Sequence, residues 1–231
     1  KVQKKQTFEC IFGRLLKDLI LFAPFPDTML SILSFFSGHI PSTSVLNDDV
    51  SFFTSVIYSN ETFKLLISRS LFIEIESIEN LEKQYKLASE LNKFYASVIE
   101  YEQLSDFVAF IDNKFNNASL HNFTDPREVF VLYREINGLL KGSTSSNKYT
   151  FLFRWILQRH SEHTIQCLKA QSKQSIVVKA ILRVWMNLLI GKNLSLPSYS
   201  SDGLRIIKIT YLLLNEVVSS DVPKNDDVIC Y

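Results

Sequence analysis

The chain has 231 residues, 46% of them hydrophobic and 21% charged, with 25 basic and 24 acidic side chains and a formal net charge of +1. Such a composition can bury a core, which excludes intrinsic disorder, and its balanced charge offers no block for nucleic acid or an anionic membrane surface. Only 6 Gly and 6 Pro disfavour a sandwich or barrel with many tight turns.

Apolar residues recur every three or four positions almost everywhere, the signature of amphipathic helices. Phe8, Phe12, Leu15, Leu19 and Phe22 form one stripe, ended by Pro24 and Pro26. The run Leu19-Ile20-Leu21-Phe22 follows Lys17 and Asp18 and is too short to span a bilayer. Asp27 can cap a second helix carrying Leu30, Leu33 and Phe36, which should stop near Gly38 and Pro41. Asn47 opens a third with Val50, Phe53 and Ile57, and Asn60 a fourth with Phe63, Leu66, Ile67 and Leu71.

Ser77 is expected to start the longest helix, with Leu81, Tyr85, Ala88, Leu91, Tyr95 and Val98 on one face and Glu79, Lys83, Lys86, Glu90 and Lys93 on others. A short helix over 104–115 carries Leu104, Phe107, Val108, Ile111 and Phe115, and 116–124 reads as a loop. Asp125-Pro126 is a strong helix start, an acceptor at the cap followed by a proline where no N–H is needed. That helix carries Val129, Tyr133 and Ile136 and ends near Gly142. Asn147 is the expected cap of the next, containing Phe151, Leu152, Trp155 and Ile156, and a weaker helix follows around 164–170. Residues 176–190 form a strongly apolar helix with Val178, Ile181, Leu182, Trp185 and Leu189, stopped by Gly191. A loop over 192–201 leads to Asp202-Gly203 and a last helix through Val218.

About ten helices in series with short joints predict an all-α fold. Pair units of roughly 40 residues fit an α-solenoid of HEAT/armadillo-like antiparallel helix pairs, although no letter-level repeat is visible. Residues 1–218 read as a single helical-repeat segment of a larger solenoid, and 219–231 as a polar, loose tail. The chain opens on Lys1, so it is expected to be a fragment or to lack its start. Cys10, Cys167 and Cys230 have neither metal nor disulfide spacing, which fits a reducing compartment. Sequons at Asn60, Asn117, Asn122 and Asn193 are expected by chance in an Asn/Ser-rich chain.

His160 and His163, with Glu162 between them, share a helical face and could hold a metal. No third ligand lies nearby, so the expectation is a surface pair at a helix end. His39 and His121 read as capping or exposed residues. Gly138 and Gly142 match no dinucleotide or phosphate loop, since no strand precedes them. Ser143–Ser146 reads as a flexible joint open to phosphorylation. Trp155 and Trp185 lie on apolar faces and are expected in the core. Tyr199 is an exposed contact candidate in a loop. Glu76, Glu79 and Glu82 form an acidic helix start that the helix dipole explains. No catalytic, cofactor-binding or metal-binding set emerges, and a non-enzyme is expected.

Two stretches carry a resemblance. Arg134-Glu135-Ile136-Asn137-Gly138, a gap, then Lys148-Tyr149-Thr150-Phe151-Leu152-Phe153-Arg154-Trp155-Ile156 is similar to the exportin-7 group of nuclear transport receptors. There a helix ending in Arg-acidic-Leu-x-Gly precedes a Phe-rich helix ending in Phe-x-Trp-Ile. Ser200-Ser201-Asp202-Gly203-Leu204 resembles a Ser-Pro-Asn-Gly turn that the group shares with exportin-4. Ser201 replaces the family proline, and Ile206-Ile207 stand where a Phe is usual. The good match covers about a third of the chain. The resemblance implies a central slice of an importin-β-like receptor that binds Ran–GTP and protein cargo, contacts nuclear pore proteins and shuttles between nucleus and cytoplasm. It implies no chemistry, no cofactor, no nucleic acid and no membrane insertion, and assigns no partner-contact residue. The alternative is a HEAT/armadillo scaffold in an intracellular complex, without Ran dependence.

Overall fold

The computed structural model describes residues 2–22, 24–39, 55–68, 80–143, 145–190 and 200–219. They form α-helices joined by turns, with no strand among them. Helix α1, Val2–Leu21, buries Phe12, Leu16 and Leu19. Helix α2, Pro26–His39, opens on a proline with Asp27 in its first turn and buries Met29, Leu33 and Phe36. The helix expected from Asn47 lies outside the described residues, apart from one turn over 55–58 that buries Val56 and Ile57. Helix α3, Glu61–Ser68, starts as expected at Asn60, whose Oδ1 accepts from Thr62 N at 2.9 Å. Helix α4, Leu81–Val98, is capped by Asn80, whose Oδ1 accepts from Lys83 N at 3.1 Å. Ser77 lies outside the described residues, and α4, with 18 residues against 20 in α1, is not the longest helix.

A 3-10 turn, Tyr101–Gln103, leads into α5, Leu104–Leu120. The loop expected over 116–124 is therefore half helix, because Ala118 continues the buried stripe of Ile111 and Phe115. The chain reverses at Asn122 (φ 51°) and Phe123 (φ 54°). A bulky residue in the left-handed region is costly. Here it drives the Phe123 ring into the core, and its carbonyl accepts from Gln171 Nε2 at 2.6 Å. Helix α6, Pro126–Gly142, begins as expected, with Asp125 Oδ1 accepting from Arg127 N at 2.8 Å.

Helix α7 differs most from expectation. Ser145, not Asn147, caps it, with Oγ accepting from Lys148 N at 3.2 Å. It runs as α-helix over Ser146–Trp155, as a π turn over Ile156–His160 and again as α-helix over Ser161–Ala170. The two helices expected there are one. Helix α8 is Ser175–Ile190, and α9 is Ser201–Ser219. Ser200 Oγ accepts from Gly203 N at 3.0 Å, so Asp202 and Gly203 form the first turn of α9 rather than a turn before it. Gly191, Tyr199 and residues 220–231 lie outside the described residues.

Helices α2, α4, α6 and α8 lie side by side in one layer. Phe36 meets Phe94 across the first joint, with ring centroids 4.7 Å apart. Between α4 and α6 the backbones nearly touch. A Cβ on Gly138 would lie 2.2 Å from the Ser89 carbonyl oxygen, and one on Gly142 would lie 2.1 Å from that of Lys93. Between α6 and α8, Asn187 Nδ2 donates to Asn137 Oδ1 at 2.5 Å. Helices α5, α7 and α9 back this layer. α5 and α7 meet through side chains around Asp112, and α7 meets α9 through Arg154–Asp202 at 3.2 Å. α9 buries Ile206, Ile209 and Leu213, but leaves Leu204, Ile207, Tyr211, Leu214 and Val218 exposed along a second stripe.

Candidate groove and its polar hub

The least ordinary local geometry is the π turn in α7. In an unbroken α-helix five steps of ~100° turn His160 about 140° away from Trp155. A π turn spreads its bonds over i→i+5, and such turns recur at functional sites. Here the wider turn brings Trp155, Arg159 and His160 onto one side, facing Asp112 of α5. Trp155 Nε1 donates to Asp112 Oδ1 at 2.8 Å, His160 Nε2 meets the same oxygen at 2.6 Å, and Arg159 Nη1 donates to Oδ2 at 2.8 Å. One carboxylate thus holds three donors from α7, all charge-assisted through its own negative charge.

His160 is 3% exposed and lies inside a continuous helix, so the surface pair expected at a helix end is not found. Its ring stacks on Phe115 with centroids 4.0 Å apart. With Nε2–H given to Asp112, Nδ1 is the acceptor, and the 3.3 Å contact to His163 Nδ1 then places a proton on His163. Both ring nitrogens of His160 are occupied, Glu162 is exposed, and no group of three or more metal-ligating side chains occurs among the described residues. Burial, opposed by the Asp112 carboxylate, pushes the His160 imidazole down from 6.5 to about 4.

A histidine with a depressed native value stabilises the fold above its unfolded value and loses that contribution as pH falls through the native one. Stability should therefore decline between pH 6.5 and about 4. The gap of about 2.5 pH units corresponds to roughly 3 kcal/mol. Urea melts at pH 7 and pH 4.5 should show this decline, reduced in His160→Gln, which keeps a donor for Asp112 but does not titrate. Equal pH dependence in both proteins would remove His160 as its source.

Beside this hub, α5 and α7 leave a groove of about 620 Å³, within the usual range for ligand pockets. Tyr101, Ser105 and Val108 form one wall; Thr150, Phe151, Arg154, Trp155 and Arg159 belong to the other. Tyr101 and Phe151 meet edge to face, centroids 6.1 Å apart, and Tyr101 is exposed. Arg154 and Arg159 are exposed but anchored by Asp202 and Asp112. Aromatic edges with oriented guanidinium groups suit a peptide or another ligand carrying an apolar part and an acceptor.

Comparison with family models, with curated proteins and with solved structures finds no match to the chain.

The remaining candidates fall as follows. Trp155 and Trp185 are buried, as expected, and Trp185 Nε1 donates to Thr210 Oγ1 at 2.8 Å. Cys167 is buried with its thiol pushed up to about 12 by desolvation, so it offers no thiolate at neutral pH. Cys10 and His121 are exposed, while Cys230, Glu76 and Glu79 lie outside the described residues. His39 ends α2. Asp112, the centre of the hub, was missed in the sequence, where it is one of two acids, with Asp106, on an amphipathic helix. The available signal was the close set of Trp155, Arg159 and His160, all hydrogen-bond donors.

Proposed function

We propose that the chain is a central segment of a Ran-dependent nuclear transport receptor of the importin-β type, built as a HEAT/armadillo-like solenoid. The supporting observation is the order of helices. α4–α5, α6–α7 and α8–α9 follow one another as hairpins whose first helices form one layer and whose second helices form the other. The stretches resembling exportin-7 lie in the two arms of one hairpin: Arg134–Gly138 in α6, and Lys148–Ile156 near the start of α7. Such arrays bind proteins over extended surfaces and transmit small changes in curvature between sites. In this reading the groove beside Trp155 is a contact for protein, the receptor carries cargo through the nuclear pore, and GTP hydrolysis belongs to Ran.

A scaffold without Ran dependence is the second reading, favoured by a specific observation. The residues that carry the resemblance are packing residues: Gly138 sits against the Ser89 carbonyl, and Trp155 fills the α5–α7 joint. Pulldown of the full-length protein with Ran charged with GTP or GDP separates the two. The receptor reading expects retention of the GTP form over the GDP form by at least about tenfold, a coupling of ~1.4 kcal/mol. The isolated 231-residue segment should retain little of either. Equal or no binding by the full-length protein would leave the scaffold.

A further inference from the structure

From Val129 to Gly142 every residue of α6 is buried except Arg134 and Lys141. The central helix of the first layer therefore meets solvent there only through cations, spaced seven residues apart on one face. Its neighbours add to them. The close approach at Gly142 sets α6 against the Lys93 backbone of α4, and the Asn137–Asn187 bond holds α8 on the other flank, one turn from exposed Arg183. Burial and repulsion from Arg183 weaken the hold of Arg134 on its proton; Lys141 feels burial, Arg183, Arg134 and Lys93 in the same direction. Glu90 is the carboxylate that acts on both, and it is already paired with Lys93 at 3.3 Å. Arg134 Nε is buried with no hydrogen-bond partner among the described residues. Repulsive groups held together by tight packing, with one shared counter-charge, are unfavourable in the free protein, and an anion relieves them.

We propose that the face formed by α4, α6 and α8 around Lys93, Arg134, Lys141 and Arg183 is a docking surface for a carboxylate-rich segment of a protein partner. Adjacent helices pack ~10 Å apart, so three of them span about 20 Å. An extended peptide covers that width in about six residues. A nucleic-acid backbone fits less well. Strong binding there draws on roughly six to ten phosphate contacts and a broad positive field. Here Glu90, paired with Lys93 and acting on Arg134 and Lys141, repels a regular row of phosphates, and the chain carries a net charge of only +1. A peptide can space its carboxylates around Glu90 and offer it amide donors. This surface is separate from the groove beside Trp155 and does not rest on the receptor reading.

The test is fluorescence anisotropy with a labelled Asp/Glu-rich peptide of about twelve residues and, in parallel, a single-stranded oligonucleotide of equal charge. The expected result is saturable peptide binding that weakens with salt and exceeds oligonucleotide binding. The double variant Arg134→Gln/Arg183→Gln should lose about tenfold in affinity, the exposed single variant Lys141→Gln about threefold, and Lys208→Gln on α9 nothing. Helicity by circular dichroism shows that each variant is folded, and Lys141→Gln decides alone if the double variant is not. Absence of saturable peptide binding overturns the proposal. So does oligonucleotide binding of equal strength, or unchanged affinity in the folded cluster variants.

Discussion

Gly138→Ala is expected to destabilise the fold by about 3 kcal/mol, at the upper end of the cost of overpacking. The added methyl would sit 2.2 Å from the Ser89 carbonyl oxygen and 3.0 Å from Asn92 Cβ. A backbone carbonyl in a helix cannot rotate away, so α4 and α6 must separate. Alanine's better helix propensity returns about 1 kcal/mol, too little to offset the loss of close packing along the joint. Gly38→Ala, in the last turn of α2, is the control: nothing among the described residues lies within 4 Å of its added Cβ, so that change should be neutral or mildly stabilising. Urea denaturation of the two variants beside the parent measures the difference. Equal stability of the two variants would contradict the tight α4–α6 joint.

Trp155→Ala should cost about 3–5 kcal/mol, the range for a large buried aromatic. The ring is 6% exposed, packs edge-on to His160 at 4.9 Å and gives its N–H to Asp112. Trp155→Phe separates the contributions. It keeps most of the apolar volume but removes a charge-assisted hydrogen bond, so a loss of about 1.5–3 kcal/mol is expected. A loss below 1 kcal/mol in the alanine variant, read from denaturant midpoints, would mark Trp155 as a surface ring rather than part of the core.

Helix type was legible because most described helices bury a stripe of three-to-four-residue period, while α6, buried over nearly all of Val129–Gly142, is marked by its Asp125-Pro126 start. Caps with a side-chain acceptor at the junction, Asn60 and Asp125, were legible because their chemistry is local. Ser145 was not, since four successive Ser and Thr residues offer competing starts. The continuity of α7 was hidden for a different reason. Its π turn shifts the helical phase after Trp155, so the stripe before it and the stripe after it no longer add up to one period. The break in pattern was read as a break in the helix. The same phase shift buries His160, which a regular wheel places elsewhere.

The groove and the cationic face were hidden because each is assembled by packing. Arg134 and Lys141 are unremarkable charges on an amphipathic helix until two flanking helices cover everything else on it. Nor do Gly138 and Gly142 announce themselves, since their role is set by the carbonyls of α4 that come to rest on them. The sequence holds these residues, but their meaning depends on neighbours more than 40 positions away.

The outer face of α9 has a consequence for the behaviour of the protein in solution. Leu204, Ile207, Tyr211, Leu214 and Val218 are each more than half exposed and run the length of the helix. Water penalises such a strip. Left uncovered, the strip makes the colloidal state of the protein sensitive to its surroundings. Sulfate and other strongly excluded salts would promote clustering through this helix, while dilution would disperse it.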